Sequence, residues 1–145
     1  MEIKLTPKSN SVIAKINVLG ATHKKNIEQA LKDILPDVMK EVKRLIRNTK
    51  KTGRKYPFRG GVHTASAPGE PPATRTGRLY RSTNYGVRNW EEAYLGESVD
   101  YALYQEKGTR KSSRHAGIIK RPHLIAAINN KMGDTYMALV KAGNV

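Results

Sequence analysis

The chain has 145 residues, 38% of them hydrophobic and 27% charged, which is one domain's worth of sequence with enough apolar content to fold around a single core. It has no cysteine, which removes disulfide frameworks, thiolate nucleophiles and Cys-ligated zinc, and its longest apolar run, Leu124 to Ile128, is far too short to span a bilayer. Lys and Arg outnumber Asp and Glu by 27 to 12, a net charge of +15 that points to an acidic partner, either nucleic acid or protein.

That charge is local. Residues 40–59 hold nine cations against the single acid Glu41, and residues 107–121 hold six cations and no acid, so these two stretches carry +14 of the +15. No signal peptide opens the sequence, and synthesis in the cytosol is expected.

In chain order, Ile3 and Leu5, then Val12, Ala14, Ile16 and Val18, alternate with polar neighbours, and this period of two predicts a strand region over 1–20. Gly20 closes it and Thr22 can cap the next element. Ile27, Leu31, Ile34, Leu35, Val38, Val42, Leu45 and Ile46 make one stripe at three- and four-residue spacing, which predicts a long amphipathic helix over 23–49 with a kink or break at Pro36. From 50 to 75 periodicity vanishes and Gly and Pro accumulate, which reads as a long loop, basic at first and proline-rich later, with Tyr56 and Phe58 as anchors packed on the body.

A short helix is predicted next over 76–83, with Thr76 as cap and Leu79 as its buried residue. Tyr85, Val87, Ala93 and Leu95 around a turn predict a hairpin over 85–99. Tyr101 and Tyr104 belong to a helical turn over 101–107, expected to pack against the sheet and to stop at Gly108. A second basic loop fills 108–121. Pro122 then suits the first turn of a closing helix over 122–142, whose stripe of Leu124, Ile125, Ile128, Met132, Tyr136 and Leu139 or Val140 is expected to return to the first helix. The fold class is α+β: a small antiparallel sheet packed against the long kinked N-terminal helix and the C-terminal helix, with long extended loops, in a single domain spanning 1–145.

Catalytic groups are sparse. Glu91 and Glu92 fall in a turn, Glu97, Asp100 and Glu106 are scattered, no two histidines stand at i and i+4, and no phosphate loop, nucleophile elbow or dinucleotide fingerprint is present. The four histidines are read as structural, and neither enzymatic activity, a metal nor a cofactor is expected. The candidate contact residues are instead the basic ones: Lys43, Arg44, Arg47, Lys50, Lys51, Arg54, Lys55 and Arg59 in the first stretch, and Arg110, Lys111 and Arg114 in the second. Phosphate contact and docking on an acidic protein ring both account for them.

Four motifs occur in order: Ser66-Ala-Pro-Gly-Glu-Pro-Pro-Ala73, Arg75-Thr-Gly-Arg-Leu-Tyr-Arg-Ser82, Val99-Asp-Tyr-Ala-Leu-Tyr-Gln-Glu-Lys-Gly-Thr109 and Arg121-Pro-His-Leu124. Together, over about residues 24 to 140, they resemble the neck family of long-tailed bacteriophages, the gene-product-ten-like head-tail joining, tail-completion or tail-terminator proteins of lambdoid phages. The chain departs from the family pattern at Leu103, where proline is usual, and at Lys107, where an aromatic is usual, and its loop after Thr109 is longer and more basic.

The resemblance implies a virion component of the tail or neck, assembled in the host cytoplasm. It would form a homo-oligomeric ring, expected to be a hexamer, between the tail tube protein and the head connector or stopper protein, with duplex DNA passing through the lumen and no membrane partner. On that reading Pro68, Gly69, Glu70, Pro71 and Pro72 form a stiff arm held away from the body and reaching a neighbouring subunit, and residues 40–59 dock a partner ring. Thr76, Gly77, Leu79, Tyr101, Tyr104, Gly108 and Pro122 are fold determinants. The alternative is a freestanding basic DNA-binding protein, although no helix-turn-helix, zinc or stacking-sheet signature supports it.

Overall fold

The computed structural model describes residues 10–112 and 116–143, with side chains from Leu19 onward. The elements are α1 (Asn10–Asn48), β1 (Lys55–Phe58), β2 (Gly61–Thr64), α2 (Arg78–Ser82), β3 (Thr83–Val87), β4 (Ala93–Glu97), α3 (Ala102–Lys107) and α4 (Leu124–Gly143). Two separate antiparallel hairpins, β1-β2 and β3-β4, accompany the helices, so the class is α+β as expected.

The helix begins well before the predicted start. Residues 10–20, expected to end a strand, are the first turns of α1, and the expected strand positions 1–9 lie outside the described residues. The alternation there is ambiguous, because Val12, Ile13, Ile16 and Leu19 also stand three and four apart. A strand needs a neighbour to satisfy its backbone, whereas a helix satisfies its own. Nor does Pro36 end the element: α1 runs through it for 39 residues, about 58 Å at 1.5 Å per residue.

The core lies along the C-terminal part of α1. Val38, Val42, Leu45 and Ile46 meet Leu79 of α2, Val99, Ala102 of α3 and Ala127 of α4, with Ile34, Tyr80, Leu95 and Leu124 closing the margins. The helix packs on α4 and on β3. Between α1 and α4 the polar tie is Asn130 Nδ2, which donates to Glu41 Oε1 at 2.8 Å, while Arg44 donates two bonds of 2.7 Å to the same carboxylate. The Arg44 hydrogen bond, reinforced by that of Asn130, holds the Glu41 carboxyl down at about 2 against the cost of its partial burial.

β3 and β4 pair from Thr83↔Glu97 to Val87↔Ala93, the predicted hairpin with its first strand starting two residues earlier, at Thr83, where the short helix was expected to end. Asn89 Oδ1 organises the turn by accepting from the backbone N–H groups of Glu91 and Glu92, each at 2.8 Å. The β1-β2 hairpin was not expected. It sits inside the predicted loop, pairs Lys55↔Thr64 to Phe58↔Gly61, and turns on Arg59 and Gly60, whose φ values of 49° and 76° are those of a type I′ turn. Arginine is an unusual first residue for such a turn, which hides the hairpin from composition alone.

Two further expectations are corrected. Tyr101 and Tyr104 do not pack on a sheet: both are exposed, and the residue of that segment that enters the core is the small Ala102. On α4, Ile125, Ile128, Met132, Tyr136, Met137 and Val140 all face solvent. The face that returns to α1 is built on Ala127, wholly buried, with Leu124 and Ala126 packed at the core margin, because small side chains allow the helices to approach closely.

Candidate functional site: two basic surfaces and the buried cluster behind them

The Pro-rich segment is folded onto the body rather than held away from it. Glu70 reaches back so that its carboxylate accepts from Thr52 N–H at 3.0 Å, from the Thr52 hydroxyl, and from Ala67 N–H at 2.8 Å. These bonds, that of the Thr52 hydroxyl first, lower the Glu70 pKa. Gly69 N–H donates to Lys120 O at 3.4 Å, the Thr74 hydroxyl donates to Ile46 O at 3.3 Å, and Ser66 and Pro72 are buried. Only the tip, Pro68 and Gly69, is exposed, with Glu70 and Pro71 half-buried beside it. Prolines that stiffen a segment serve here to dock it, because little chain entropy is lost when it settles.

The basic residues of the first stretch do not share one fate. Lys40 and Arg44 pair on the helix surface with Asp37 and Glu41. Lys43 and Arg47 lie over the Tyr80 ring at 5.4 and 5.8 Å, in a shallow hollow shared with Lys40, Arg44 and Asn48. Lys51 turns inward, donating to Leu45 O at 3.0 Å near the end of α1, and burial lowers its pKa; it is a helix cap and not a free contact residue. Lys50, Arg54 and Lys55 are exposed, and Arg59 at the hairpin turn lies 5.4 Å over the Phe58 ring. The aromatic anchors are half-buried on β1, where Tyr56 meets its cross-strand partner His63 edge-on at 5.2 Å.

In the second stretch Arg110 and Lys111 are exposed, and Arg114 lies outside the described residues. The base of this loop is pinched: Thr109 N–H donates to Ile118 O at 2.8 Å, and Ile118 N–H donates to Thr109 Oγ1 at 2.7 Å. Gly108, at φ 73°, makes the reversal after α3 and donates to Tyr104 O at 2.9 Å, as a C-terminal glycine should. Gly77, at φ 74°, opens α2, where Thr76 contributes only a long 3.4 Å bond to Arg78 N–H.

Behind this loop stands a cluster that sequence reasoning missed. Glu97 and Glu106, expected to be scattered, converge on the fully buried His123. Its Nε2 lies 2.8 Å from a Glu97 oxygen, and its Nδ1 lies 2.9 Å from Glu106 Oε2 and 3.0 Å from Arg121 O. Burial alone would push the imidazole pKa down, but the bonds to Glu106 and Glu97 outweigh it and raise it to about 10, so the ring is an imidazolium donating from both nitrogens. Glu106 is likewise opposed by its burial, yet its bonds to His123 and to the start of α4 hold it at about 2. It accepts from the N–H groups of His123, Leu124 and Ile125 at 2.8, 3.1 and 3.0 Å, and so caps α4 across 17 residues of sequence. Pro122 precedes this cap, just ahead of the first turn. With both ring nitrogens of His123 engaged by carboxylates inside the fold, the cluster acts as an anchor. Among the described residues no group of side chains could hold a metal ion.

Compared with known proteins, the chain matches no family model, and no curated protein or solved structure is significantly similar to it.

Proposed function

We propose that this chain is a structural subunit of the neck of a long-tailed bacteriophage: a ring-forming head-tail joining or tail-completion protein that caps the tail tube, docks it to the head connector and lets genomic DNA pass through the ring. The four ordered motifs support the family reading. The observation that carries the assembly reading is the exposed apolar stripe on α4, without a partner among the described residues, where Ile125, Ile128, Met132 and Tyr136 stand at three- and four-residue spacing, with Tyr136 and its neighbour Met137 each 66% exposed. A stripe of this size is costly on a free surface and marks a contact. Its occupant is a second copy of the chain. Copies carrying +15 repel one another through residues 40–59 and 107–121, whereas 122–145 carries only Lys131, Lys141 and Asp134 as charged side chains besides the buried His123, and is the surface where like copies can meet.

The basic surfaces then face other partners: an acidic ring, or DNA in the lumen. Replacing Ile128 and Met132 with Lys tests the reading in an infection assay with electron microscopy of the particles. Because both side chains already face water, the variant should fold, and heads and tails should accumulate unjoined. Normal particles from that variant would overturn it. So would a wild-type protein that is absent from particles and remains a monomer with steeply salt-dependent duplex binding, the behaviour of a freestanding DNA-binding protein.

A further inference from the structure

Among the described cations of the second basic stretch, Arg121 is the one that turns into the fold, and its side chain is incompletely satisfied. Its Nη1 reaches Gln105 Oε1 only at 3.5 Å and its Nη2 reaches Ser66 O only at 3.4 Å, both at the outer limit of a hydrogen bond. Its Nε is buried with no hydrogen-bond partner among the described residues. A guanidinium offers five donors; the Nε is closed off inside the fold, and the two long bonds made by the Nη groups leave further donors on the edge that lines the neighbouring hollow.

The same side chain lines a hollow of about 180 Å³ together with Arg75, His63, Tyr56, Gln105 and Ser66. No carboxylate is among the lining residues. Arg75 stacks 4.8 Å over the Phe58 ring, which fixes its plane, and it makes no hydrogen bond or ion pair among the described residues. Two guanidiniums with free donors, beside an imidazole and a phenol and without a counter-charge, form a built receptor for an oxyanion.

We propose that this hollow binds the carboxylate of an acidic protein segment. The planar fork of a guanidinium matches a carboxylate through two parallel bonds, and a Glu or Asp side chain is slender enough to carry its charge down to Arg121. A phosphate of duplex DNA is flanked on both sides by sugars and presents a ridge, which fits the exposed Lys50, Arg54 and Lys55 but not a recess. The site takes its ligand by chemistry alone and does not depend on the partner being a phage ring.

The test uses nitrogen-15-labelled full-length protein and the arginine Nε–Hε resonances, assigned with the Arg121→Lys and Arg75→Gln variants. A capped peptide Gly-Glu-Glu-Gly is titrated, with its Gly-Gln-Gln-Gly counterpart, inorganic phosphate and a short DNA duplex as separate arms. The expected result is a saturable displacement of the Arg121 resonance by the Glu peptide and none by the Gln peptide. Arg75→Gln should weaken that binding by about tenfold or more, the factor expected from losing one charge-assisted hydrogen bond. Equal displacement by the Gln peptide, tighter displacement by phosphate or duplex, or an unchanged affinity in Arg75→Gln would each overturn the proposal. If Arg121→Lys fails to fold because it loses the Ser66 and Gln105 contacts, the Arg75→Gln comparison decides alone, since Arg75 is exposed and makes no hydrogen bond or ion pair among the described residues.

Discussion

Glu106 and His123 bind each other twice: the Glu106 carboxylate accepts the backbone N–H of His123 at 2.8 Å and also lies 2.9 Å from its ring Nδ1. One residue pair therefore caps α4, neutralises a buried imidazolium and ties α3 to α4. Glu97 completes the arrangement from β4, so three elements meet at a single charged group.

Stability should depend on pH from both sides. Raised from 6.5 to about 10, His123 contributes stability that is complete below pH 6.5 and is lost as the pH rises through 10. Lowered from 4.5 to about 2, Glu106 contributes stability that is complete above pH 4.5 and is lost as the pH falls through 2. Urea midpoints measured across pH should form a plateau between about 4.5 and 6.5 with a decline on each side, and His123→Gln should flatten the alkaline limb.

Truncating the cluster should be severe. His123→Ala leaves two buried carboxylates without their cation, and the expected loss is about 3–5 kcal/mol in denaturant unfolding, the range for breaking a buried ion pair. Glu106→Gln should also lower the helix content read by circular dichroism, because it removes the negative charge that faces the N-terminus of α4. A loss below about 1 kcal/mol for His123→Ala would contradict the burial and bonding described.

Gly108 tolerates no side chain. At φ +73°, a Cβ there would lie 2.7 Å from Ile118 O, on the backbone that pinches the basic loop. Gly108→Ala should cost more than about 1 kcal/mol, and amide exchange should accelerate first at Thr109 and Ile118.

Glu70 is the clasp of the Pro-rich segment. Glu70→Gln should leave the core intact while the amides of Thr52 and Ala67 exchange faster and limited proteolysis opens the chain near Gly69. Unchanged exchange at both amides would mean that the prolines alone hold the segment down.

Legibility in the sequence tracked the range of the interaction. The C-terminal part of α1, the β3-β4 hairpin, the Gly108 stop and the start of α4 near Pro122 rest on local periodicity and turn chemistry, which a single sequence displays. The β1-β2 hairpin is as local but turns on Arg59-Gly60, and its Tyr56 and Phe58 alternation is masked by basic neighbours. The strand expected before Gly20 fails because Val12 and Ile16 fit both periods while Ile13 and Leu19 complete a helical stripe, and only the backbone's need for partners chooses between them. The Glu97, Glu106 and His123 cluster spans 26 residues of sequence and carries no spacing signal at all.

By itself the sequence determined the α+β class and the concentration of charge in two stretches, because these are properties of composition and near-neighbour order. The tertiary structure decided what each charged and apolar group is used for. It gave Lys51 to a helix end, Glu70 to a clasp and Arg121 to a recess, and it turned Ile125, Ile128, Met132 and Tyr136 outward while Ala127 met α1. The reason is that an amphipathic pattern states only that a face is apolar. Whether that face is filled from within or offered to another molecule depends on how closely the opposing helix can approach, and here the small residues won that contact.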